Sequence, residues 1–266
     1  MTTQNAPRTA RQRARAELTR EITEEARRQL AAVGANGLSL RAVARELGMV
    51  SSALYRYYPS RDDLLTALII DAYNAIGEAA ETAIADTGPG TSPGARPGAR
   101  PGAVRARARW LAACHAIRAW AIGHPHEYAL IYGSPVPGYR APEATIGPAA
   151  RVPLAFVGVL AAAIAAGELT AGAAAASRSA DAPTGVLADQ AAALSAALSA
   201  ALSVDPSAPG ADLVPPDMLV RGVIAWTQLF GMISWELFGQ FVGSFEPADA
   251  FFAHSAAQLA TFVGLA

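Results

Sequence analysis

Between Ser39 and Arg61 the chain carries hydrogen-bond donors in an order that suits contact with double-stranded DNA. Small residues occupy the start of a short predicted helix, where it would enter a major groove, and a tyrosine and an arginine follow them. Such side chains reach base edges, while serine, tyrosine and arginine also bind phosphate oxygens. The candidate DNA contacts are Ser39, Arg41, Ser51, Ser52, Ala53, Tyr55, Arg56, Tyr57 and Arg61.

The distribution of charge supports a polyanionic partner for this part of the chain. The 266 residues have a formal net charge of -1, and their 21 basic residues are all arginine. Residues 1–61 contain 11 arginines and 5 glutamates, a net charge of +6, whereas the remainder contains 10 arginines and 17 acidic residues, a net charge of -7. A basic module joined to an acidic body is typical of a protein in which one part meets DNA. The alternative, in which these arginines only solvate a helical bundle, stays open on this evidence.

Three helices and a turn must position these donors. Glycines and caps in the sequence predict Glu17–Val33, Leu40–Leu47 and Ser51–Tyr57, which together form a helix-turn-helix. Ser39 and Gly48 bound the second of these helices. Ser60 with Asp63 predicts a capping box at the start of a further helix. The preceding arginines, Arg8, Arg11, Arg13 and Arg15, are predicted to form an arm that either reaches a minor groove or only solubilises the chain.

Polar residues within apolar helical stripes predict a second site in the C-terminal part. A buried histidine or arginine needs a partner, or a cavity that supplies one. Ordinary core packing explains any one of these residues, but as a set they predict an aromatic pocket for a small, largely apolar molecule, with Arg118 favouring an anionic or carbonyl-bearing ligand. The candidate ligand-binding residues are His115, Arg118, Trp120, Tyr128, Tyr132, Phe156, Trp226, Gln228, Met232 and Glu236.

Several other classes of protein are disfavoured. Phosphate-binding loops, dinucleotide motifs and nucleophile elbows are absent from the sequence, so no enzyme activity and no cofactor is expected. Four histidines and the single Cys114 are a poor supply of metal ligands and allow no internal disulfide. The apolar run Val152–Gly167 is short for a membrane span and predicts a buried helix. We therefore expect a cytoplasmic protein that makes no use of a membrane or a bound metal.

The remaining pattern is helical, so the sequence predicts an all-α fold. Its expected organisation is a flexible arginine-rich arm at 1–15, a helix-turn-helix domain at 16–61 and a helical ligand-binding and dimerisation domain at 62–266. Segments 86–102 and 168–185, rich in glycine, alanine, serine or proline, are predicted to be mobile loops. Beyond the first of these loops, the predicted helices are Ala103–Ile122, Ala149–Ala166, Val186–Leu202, Asp217–Val242 and Pro247–Val263.

The stretch Ala26–Leu65 resembles the DNA-binding domain of the tetracycline-repressor (TetR) family of bacterial transcription regulators. The matching residues are Ala26, Leu30, Gly34, Gly37, Ser39, Leu40, Val43, Ala44, Leu47, Gly48, Leu54, Tyr55, Tyr57, Tyr58, Pro59, Ser60, Arg61, Leu64 and Leu65. The chain departs from the family pattern at three positions. Val50 stands where many members have a Ser or Thr that caps the recognition helix, so Ser51 is expected to be the cap here. Tyr58 replaces a frequent Phe, and Arg61 replaces a frequent Lys.

The segment Ala225–Gly239 resembles the Trp-x-x-x-His-Gly region of a TetR-type C-terminal domain, with Phe230 at the histidine position. The resemblance implies a homodimeric repressor that binds a palindromic operator and leaves it when a small molecule enters the C-terminal domain. The apolar last two helices are expected to form the dimer interface, the final helix contributing Phe251, Phe252, Leu259 and Phe262, with a core inside a single subunit as the alternative. The alternative is a dimeric DNA-binding regulator that has no small-molecule pocket and is controlled by a protein partner.

Overall fold

A computed structural model describes residues 10–87, 101–169, 183–202 and 214–265. These ranges are helical apart from turns, a short 3₁₀ helix at Glu143–Thr145 and an isolated bridge between Leu169 and Leu265, so the predicted all-α class is confirmed. The helices are α1 (Ala10–Gly37), α2 (Leu40–Glu46), α3 (Ser51–Leu54), α4 (Arg61–Asp86), α5 (Pro101–Gly123), α6 (Pro125–Tyr132), α7 (Ile146–Ala165), α8 (Val186–Leu202), α9 (Pro216–Leu237) and α10 (Asp249–Phe262).

The chain divides into two compact units whose sequence ranges are discontinuous. The first unit comprises Met1–Tyr73 and His124–Ile146, and the second comprises Asn74–Gly123 and Gly147–Ala266. This division differs from the sequence-based boundary at residue 61. The start of α4 and all of α6 fold with the helix-turn-helix, because their apolar residues pack on its core.

Helix α1 begins earlier than the sequence pattern predicted. It starts at Ala10 and not at Glu17, so Arg11, Arg13 and Arg15 are helical and do not form a flexible arm. Alanine, arginine and glutamine in this stretch have high helix propensity, which accounts for the extension. Arg8 lies outside the described residues. Gly34 interrupts α1 with φ 70° and ψ 174°, at the position where the sequence predicted the helix to stop.

The turn between α2 and α3 depends on Gly48. Its φ of 64° lies in the left-handed region. This conformation directs the Gly48 N–H to the Arg45 carbonyl at 3.1 Å and the Met49 N–H to the Ala44 carbonyl at 2.8 Å. The two bonds satisfy carbonyls at the end of α2 in the Schellman arrangement, so the predicted glycine stop is confirmed.

We expect Gly48→Ala to lower the free energy of unfolding by about 1–2 kcal/mol, because a Cβ disfavours left-handed φ. No atom lies within 4 Å of the added Cβ, so strain alone sets this effect. Urea denaturation followed by circular dichroism measures it. The matched control is Gly158→Ala inside α7, where the space is also open and φ is not left-handed. This control is expected to gain about 0.5–1 kcal/mol, and equal effects of the two variants would contradict the prediction.

Helices α1, α2, α3 and α4 share the core of the first unit. Its aliphatic side chains are fully or nearly fully buried: Ile22, Ala26, Leu38, Leu40, Val43, Ala44, Leu54, Leu64, Leu65 and Leu68. Leu130 of α6, with Val136 and Tyr139 after it, packs against this cluster. The Arg27 guanidinium donates to Asp71 at 2.8 Å and to Glu127 at 3.0 Å, which ties α1 to α4 and α6. The helix α6 was not predicted, although Pro125 at its first turn is a favourable start.

The second unit is built around α5, which packs against α9 and α10, while α8 packs against α9. By length and composition, Glu143–Ala165 passes a test for a membrane-spanning helix. Its residues Val152, Phe156, Val159 and Leu160 are buried inside the folded chain.

The predicted helix Val186–Leu202 is confirmed as α8, whereas α9 ends at Leu237, five residues before the predicted end. Turns at Gly239 and Gly243, both with positive φ, replace the last predicted helical turn. Most of the two predicted loops, at 88–100 and 170–182, lies outside the described residues.

Candidate DNA-binding surface and candidate ligand site

The recognition helix α3 is anchored by one side chain and leaves its neighbours exposed. Leu54 is completely buried among Val43, Ala44 and the other core residues of the first unit. Tyr55 keeps 41% of its surface exposed, and Ser52 and Arg56 are also exposed. With Leu54 turned into the core, Ser52 of α3 and the next two residues, Tyr55 and Arg56, face solvent. We call Arg41, Ser51, Ser52, Ala53, Tyr55 and Arg56 the recognition surface.

Two arginines on this surface are available for an external anion. Arg41 of α2 and Arg56 are exposed, and neither forms an ion pair among the residues that the structure describes. Arg45, in contrast, lies 3.5 Å from the carboxylate of Glu46. Guanidinium groups without an internal partner suit contact with phosphate or with guanine edges.

The cap of α3 differs from the prediction. Val50 occupies the N-cap position without a side-chain hydrogen bond, and Ser51 is the first helical residue, so Ser51 does not cap the helix. Ser39 does occupy the N-cap of α2, but its hydroxyl makes no capping bond. The exposed N–H groups at these helix starts, together with the two hydroxyls, are suited to phosphate oxygens.

Arg61 has a structural role that the sequence did not predict. Its Nη2 donates to the Ala35 carbonyl at 2.7 Å and its Nε to the Leu38 carbonyl at 3.2 Å. These bonds satisfy carbonyls at the end of α1 and at the start of α2. A predicted phosphate contact by Arg61 therefore has to use the remaining N–H groups of its guanidinium.

Tyr57 contributes to packing as well as to the predicted surface. Its ring is half-buried against the core, and the Arg15 guanidinium lies over it at 5.5 Å from the ring centroid. The serine half of the predicted capping box is present at the start of α4. Ser60 Oγ accepts a bond from the Asp63 N–H at 3.1 Å and donates to the Asp63 carboxylate at 2.7 Å.

In the second unit, Arg118, which was predicted to bind a ligand, is hydrogen-bonded to two carboxylates of the protein. It donates to both oxygens of Glu236, at 2.5 and 2.7 Å, and to Asp249 at 2.9 Å. The hydrogen bonds that Arg118 donates to Glu236, followed by the one that it donates to Asp249, raise the pKa of Arg118 and keep it charged. Partial desolvation, followed by the charge of Arg118, lowers the pKa of His115. The structure thus gives Arg118 internal partners, which explains its position on an apolar stripe.

Replacing Arg118 by methionine is expected to destabilise the second unit by about 2–3 kcal/mol, because the Glu236 carboxylate is left without its partner. The side chains of Arg118 and Glu236 are 11% and 20% exposed, so solvent compensates only in part. Thermal unfolding of the full chain measures the loss. Asp249→Asn is the control, since that carboxylate is 74% exposed and its removal should cost much less. Equal losses for the two variants would refute the assigned role of Glu236.

The remaining predicted ligand residues do not form one described cluster. Tyr128 and Tyr132 belong to the first unit, where Tyr132 packs against Tyr128 and Tyr73. In the second unit, Phe156 contacts Trp110 with ring centroids 4.6 Å apart, and Trp226 contacts Phe230 at 5.5 Å. Trp120 and Met232 are half-buried, whereas Gln228 is exposed.

A cavity in the second unit lies between α5 and α7, away from the predicted ligand residues. Its volume is about 180 Å³, and it is lined by Arg105, Ala106, Arg109, Val159, Ala162, Ala163, Ala166 and Glu168. The sequence did not single it out, because arginines at a helix start usually face solvent. The spacing of Arg105 and Arg109 by four residues, which places them on one helix face, is the signal that could have been used.

One face of α9 and the turns after it expose large apolar side chains. Val223, Ile224, Trp235, Phe238, Val242 and Phe245 are between 43% and 70% exposed. The opposite face, including Leu229 and Ile233, is buried in the second unit. We call the six exposed residues the apolar face of α9. Phe252 of α10, which the sequence placed at a dimer interface, is instead 1% exposed and lies beneath Arg118.

Comparisons with known families match both parts of the chain. A family model described as bacterial regulatory proteins of the tetR family matches residues 22–68, which contain α2 and α3. A model of the tetracyclin repressor-like C-terminal domain matches residues 110–259. The second match alone covers more than half of the chain.

Individual proteins agree with these matches. The HTH-type transcriptional regulators Rv1816 of Mycobacterium tuberculosis and Mb1846 of Mycobacterium bovis are each 38% identical over 232 residues, which is 87% of this chain and 85% of theirs. The crystal structure of the regulatory protein SCO4313 has a TM-score of 0.64 and 31% identity, covering 96% of this chain and 98% of that one. A Rhodococcus sp. RHA1 protein shares the fold, with a TM-score of 0.58, 22% identity and coverage of 92% and 93%. The chain therefore belongs to the tetracycline-repressor family of helix-turn-helix transcriptional regulators, which bind DNA and are not enzymes.

Proposed function

We propose that this protein is a cytoplasmic repressor that binds a palindromic operator as a homodimer and leaves it when a small molecule binds its C-terminal domain. The observation that carries the proposal is the orientation of α3. Leu54 faces the core of the first unit, and Tyr55 and Arg56 consequently face outward. A helix of this kind presents its first residues to a major groove, as in other helix-turn-helix proteins.

Each candidate residue has a role that follows from its position. Ser51, Ser52 and Ala53 are small enough to let the start of α3 approach base edges closely. Tyr55 and Arg56 supply donors, and an arginine can bind guanine O6 and N7 with two bonds. Phosphate contacts are assigned to Ser39, Arg41, Tyr57 and Arg61, which fix the orientation of the protein on the duplex.

The apolar face of α9 supports a homodimer. Ile224, Gln228, Gly231, Trp235 and Phe238 follow one another at spacings of three or four residues, which is the pattern of a helix that packs against another helix. Several large apolar side chains exposed along one helix and the turns after it are typical of an interface. A two-fold axis here would pair two recognition helices with two half-sites, about 34–36 Å apart or more on a longer operator.

Ligand-controlled release is proposed for the second unit, because it contains a cavity with polar and apolar walls. A ligand shifts the population between operator-binding and released states by no more than its differential affinity for them. Control by a protein partner, without a small molecule, is the alternative. A thermal-shift screen of apolar and anionic metabolites separates the two, because a ligand of the folded state raises the melting temperature.

The proposal is tested by selecting DNA from random oligonucleotides with the purified full-length protein and sequencing what is retained. We expect an inverted repeat whose half-sites are related by a two-fold axis, and binding that weakens steeply with salt. Transcription in vitro from a promoter that overlaps this sequence should then fall as protein is added. A single unpaired half-site, or an increase in transcription, would overturn the palindrome or the repressor role respectively.

A further inference from the structure

The cavity between α5 and α7 contains an arginine whose hydrogen bonding is incomplete. The Nε of Arg109 is buried, and no acceptor for it exists among the residues that the structure describes. Buried N–H groups are almost always paired in folded proteins, because an unpaired one loses its hydration without compensation. Because Arg109 also lines the cavity and forms no ion pair in the described part of the chain, its guanidinium is available to an acceptor that enters there.

Arg109 differs from Arg118 in its ion pairing. Arg118 lies on the same helix, and two carboxylates occupy its guanidinium. Arg109 forms no ion pair within 4 Å in the described part of the chain, and the same holds for Arg105, an exposed residue that also lines the cavity. The cavity therefore has two guanidinium groups available, four residues apart on one helix face.

The lining limits the charge of the acceptor. Two guanidinium groups and the carboxylate of Glu168 give the lining a net charge of +1. A monoanion neutralises this charge, whereas a phosphate dianion would leave the occupied site with a net charge of -1. The planar fork of an arginine matches a carboxylate, to which it can donate two parallel bonds.

The remaining walls limit the size and polarity of the rest of the molecule. Ala106, Val159, Ala162, Ala163 and Ala166 provide an apolar surface without further hydrogen-bonding side chains. The volume of about 180 Å³ lies below the roughly 300–1,000 Å³ of pockets for drug-sized ligands. A small hydrocarbon body attached to a single carboxylate satisfies both conditions.

We propose that the cavity between α5 and α7 binds a small apolar monocarboxylate, with Arg109 and Arg105 holding the carboxylate and the α7 side chains contacting the hydrocarbon. This assignment rests on the proposed ligand response and names the chemical class of the ligand. It replaces Arg118 by Arg109 as the residue that recognises the anion.

Isothermal titration calorimetry of the DNA-free, full-length protein tests the assignment, with benzoate as the probe. Benzamide is the uncharged comparison of nearly equal shape, and inorganic phosphate is the competing anion. Arg109→Gln is expected to weaken benzoate binding at least about tenfold, the effect of losing a charge-assisted hydrogen bond. Ala162→Leu, which fills the cavity and leaves Arg109 in place, should weaken it similarly. Arg221→Gln, which removes a charge from α9 outside the cavity, should leave benzoate binding unchanged.

Other results would overturn the proposal. These are equal benzoate affinity in the wild type and both cavity variants, benzamide or phosphate binding as tightly as benzoate, or the absence of benzoate binding to the wild type. Circular dichroism melting of each variant shows whether it is folded. If Arg109→Gln does not fold, Ala162→Leu still tests whether benzoate binds in the cavity.

The calorimetry is independent of the operator, so its failure can be distinguished from failure of the proposed function. Benzoate that binds the wild type but leaves operator affinity unchanged would uphold the carboxylate site and overturn release by this ligand. Loss of the operator complex on adding benzoate, with no such loss in Arg109→Gln, would support both.

Discussion

Arg56→Ala is expected to lower the affinity of the dimer for its selected operator by at least about 30-fold. A base contact of this type contributes about 1–3 kcal/mol, and a palindrome contains it twice, so at least about 2 kcal/mol is lost per dimer. The structure supports this expectation because Arg56 is exposed next to the buried anchor Leu54 and makes no internal ion pair in the described residues. A gel-shift titration at fixed salt measures the effect.

The specificity of the Arg56 effect needs a control for charge. Arg221→Ala removes one positive charge from the second unit, on α9, and should change affinity far less than Arg56→Ala. Tyr55→Phe removes only a hydroxyl and should give an intermediate loss, since the ring is retained. If Tyr55→Phe and Arg56→Ala both left operator affinity unchanged, the recognition surface would be placed on the wrong residues.

Phe238→Asp is expected to convert the dimer to a monomer and to weaken operator binding at least about 100-fold. Phe238 is 48% exposed at the end of α9, beside Trp235, which is 57% exposed. A two-fold interface would bury two introduced carboxylates close together, which is strongly unfavourable without partners. A monomer reaches only one half-site and loses the effective concentration that joins the second half-site to the first.

Light scattering coupled to size-exclusion chromatography measures the oligomeric state of Phe238→Asp directly. Gly158→Asp, at an exposed position of α7, introduces the same charge on a helix outside the apolar face of α9 and should remain dimeric. Melting curves should show that both variants are folded. A Phe238→Asp protein that stays dimeric would place the dimer interface on another surface of the chain.

The helix-turn-helix was predictable because its signals are local. At the end of α2 the Gly48 N–H donates to the Arg45 carbonyl and the Met49 N–H to the Ala44 carbonyl, at most five residues away, and at the start of α4 the Ser60 hydroxyl caps the Asp63 N–H. Backbone conformation and side-chain capping at this range depend on a few neighbouring residues, which the sequence displays directly. Val50 shows the limit, because it fills an N-cap position that propensity alone assigns to a serine.

The ligand candidates were less predictable, because burial and pairing depend on distant residues. A polar side chain on an apolar stripe indicates that a partner exists and does not identify it. Arg118 meets Glu236, 118 residues further along the chain, whereas Arg109, one residue before a buried tryptophan, has an Nε–H without a described acceptor. The sequence pattern therefore selected Arg118 as the ligand-binding candidate and did not select Arg109.

The sequence alone was sufficient to predict that this protein is all-helical and that its basic N-terminal part contains a helix-turn-helix, and it is the source of the proposal that the DNA-reading residues lie between Ser39 and Arg61. Helical periodicity, caps, glycine turns and local charge carry that information over short stretches of chain. Only the tertiary structure decided that residues 124–146 fold with the N-terminal helices, because Arg27 and Glu127 pair across 100 residues. It also decided which arginine borders a cavity, since pairing across α5, α9 and α10 depends on how the helices pack and not on the residues beside each arginine.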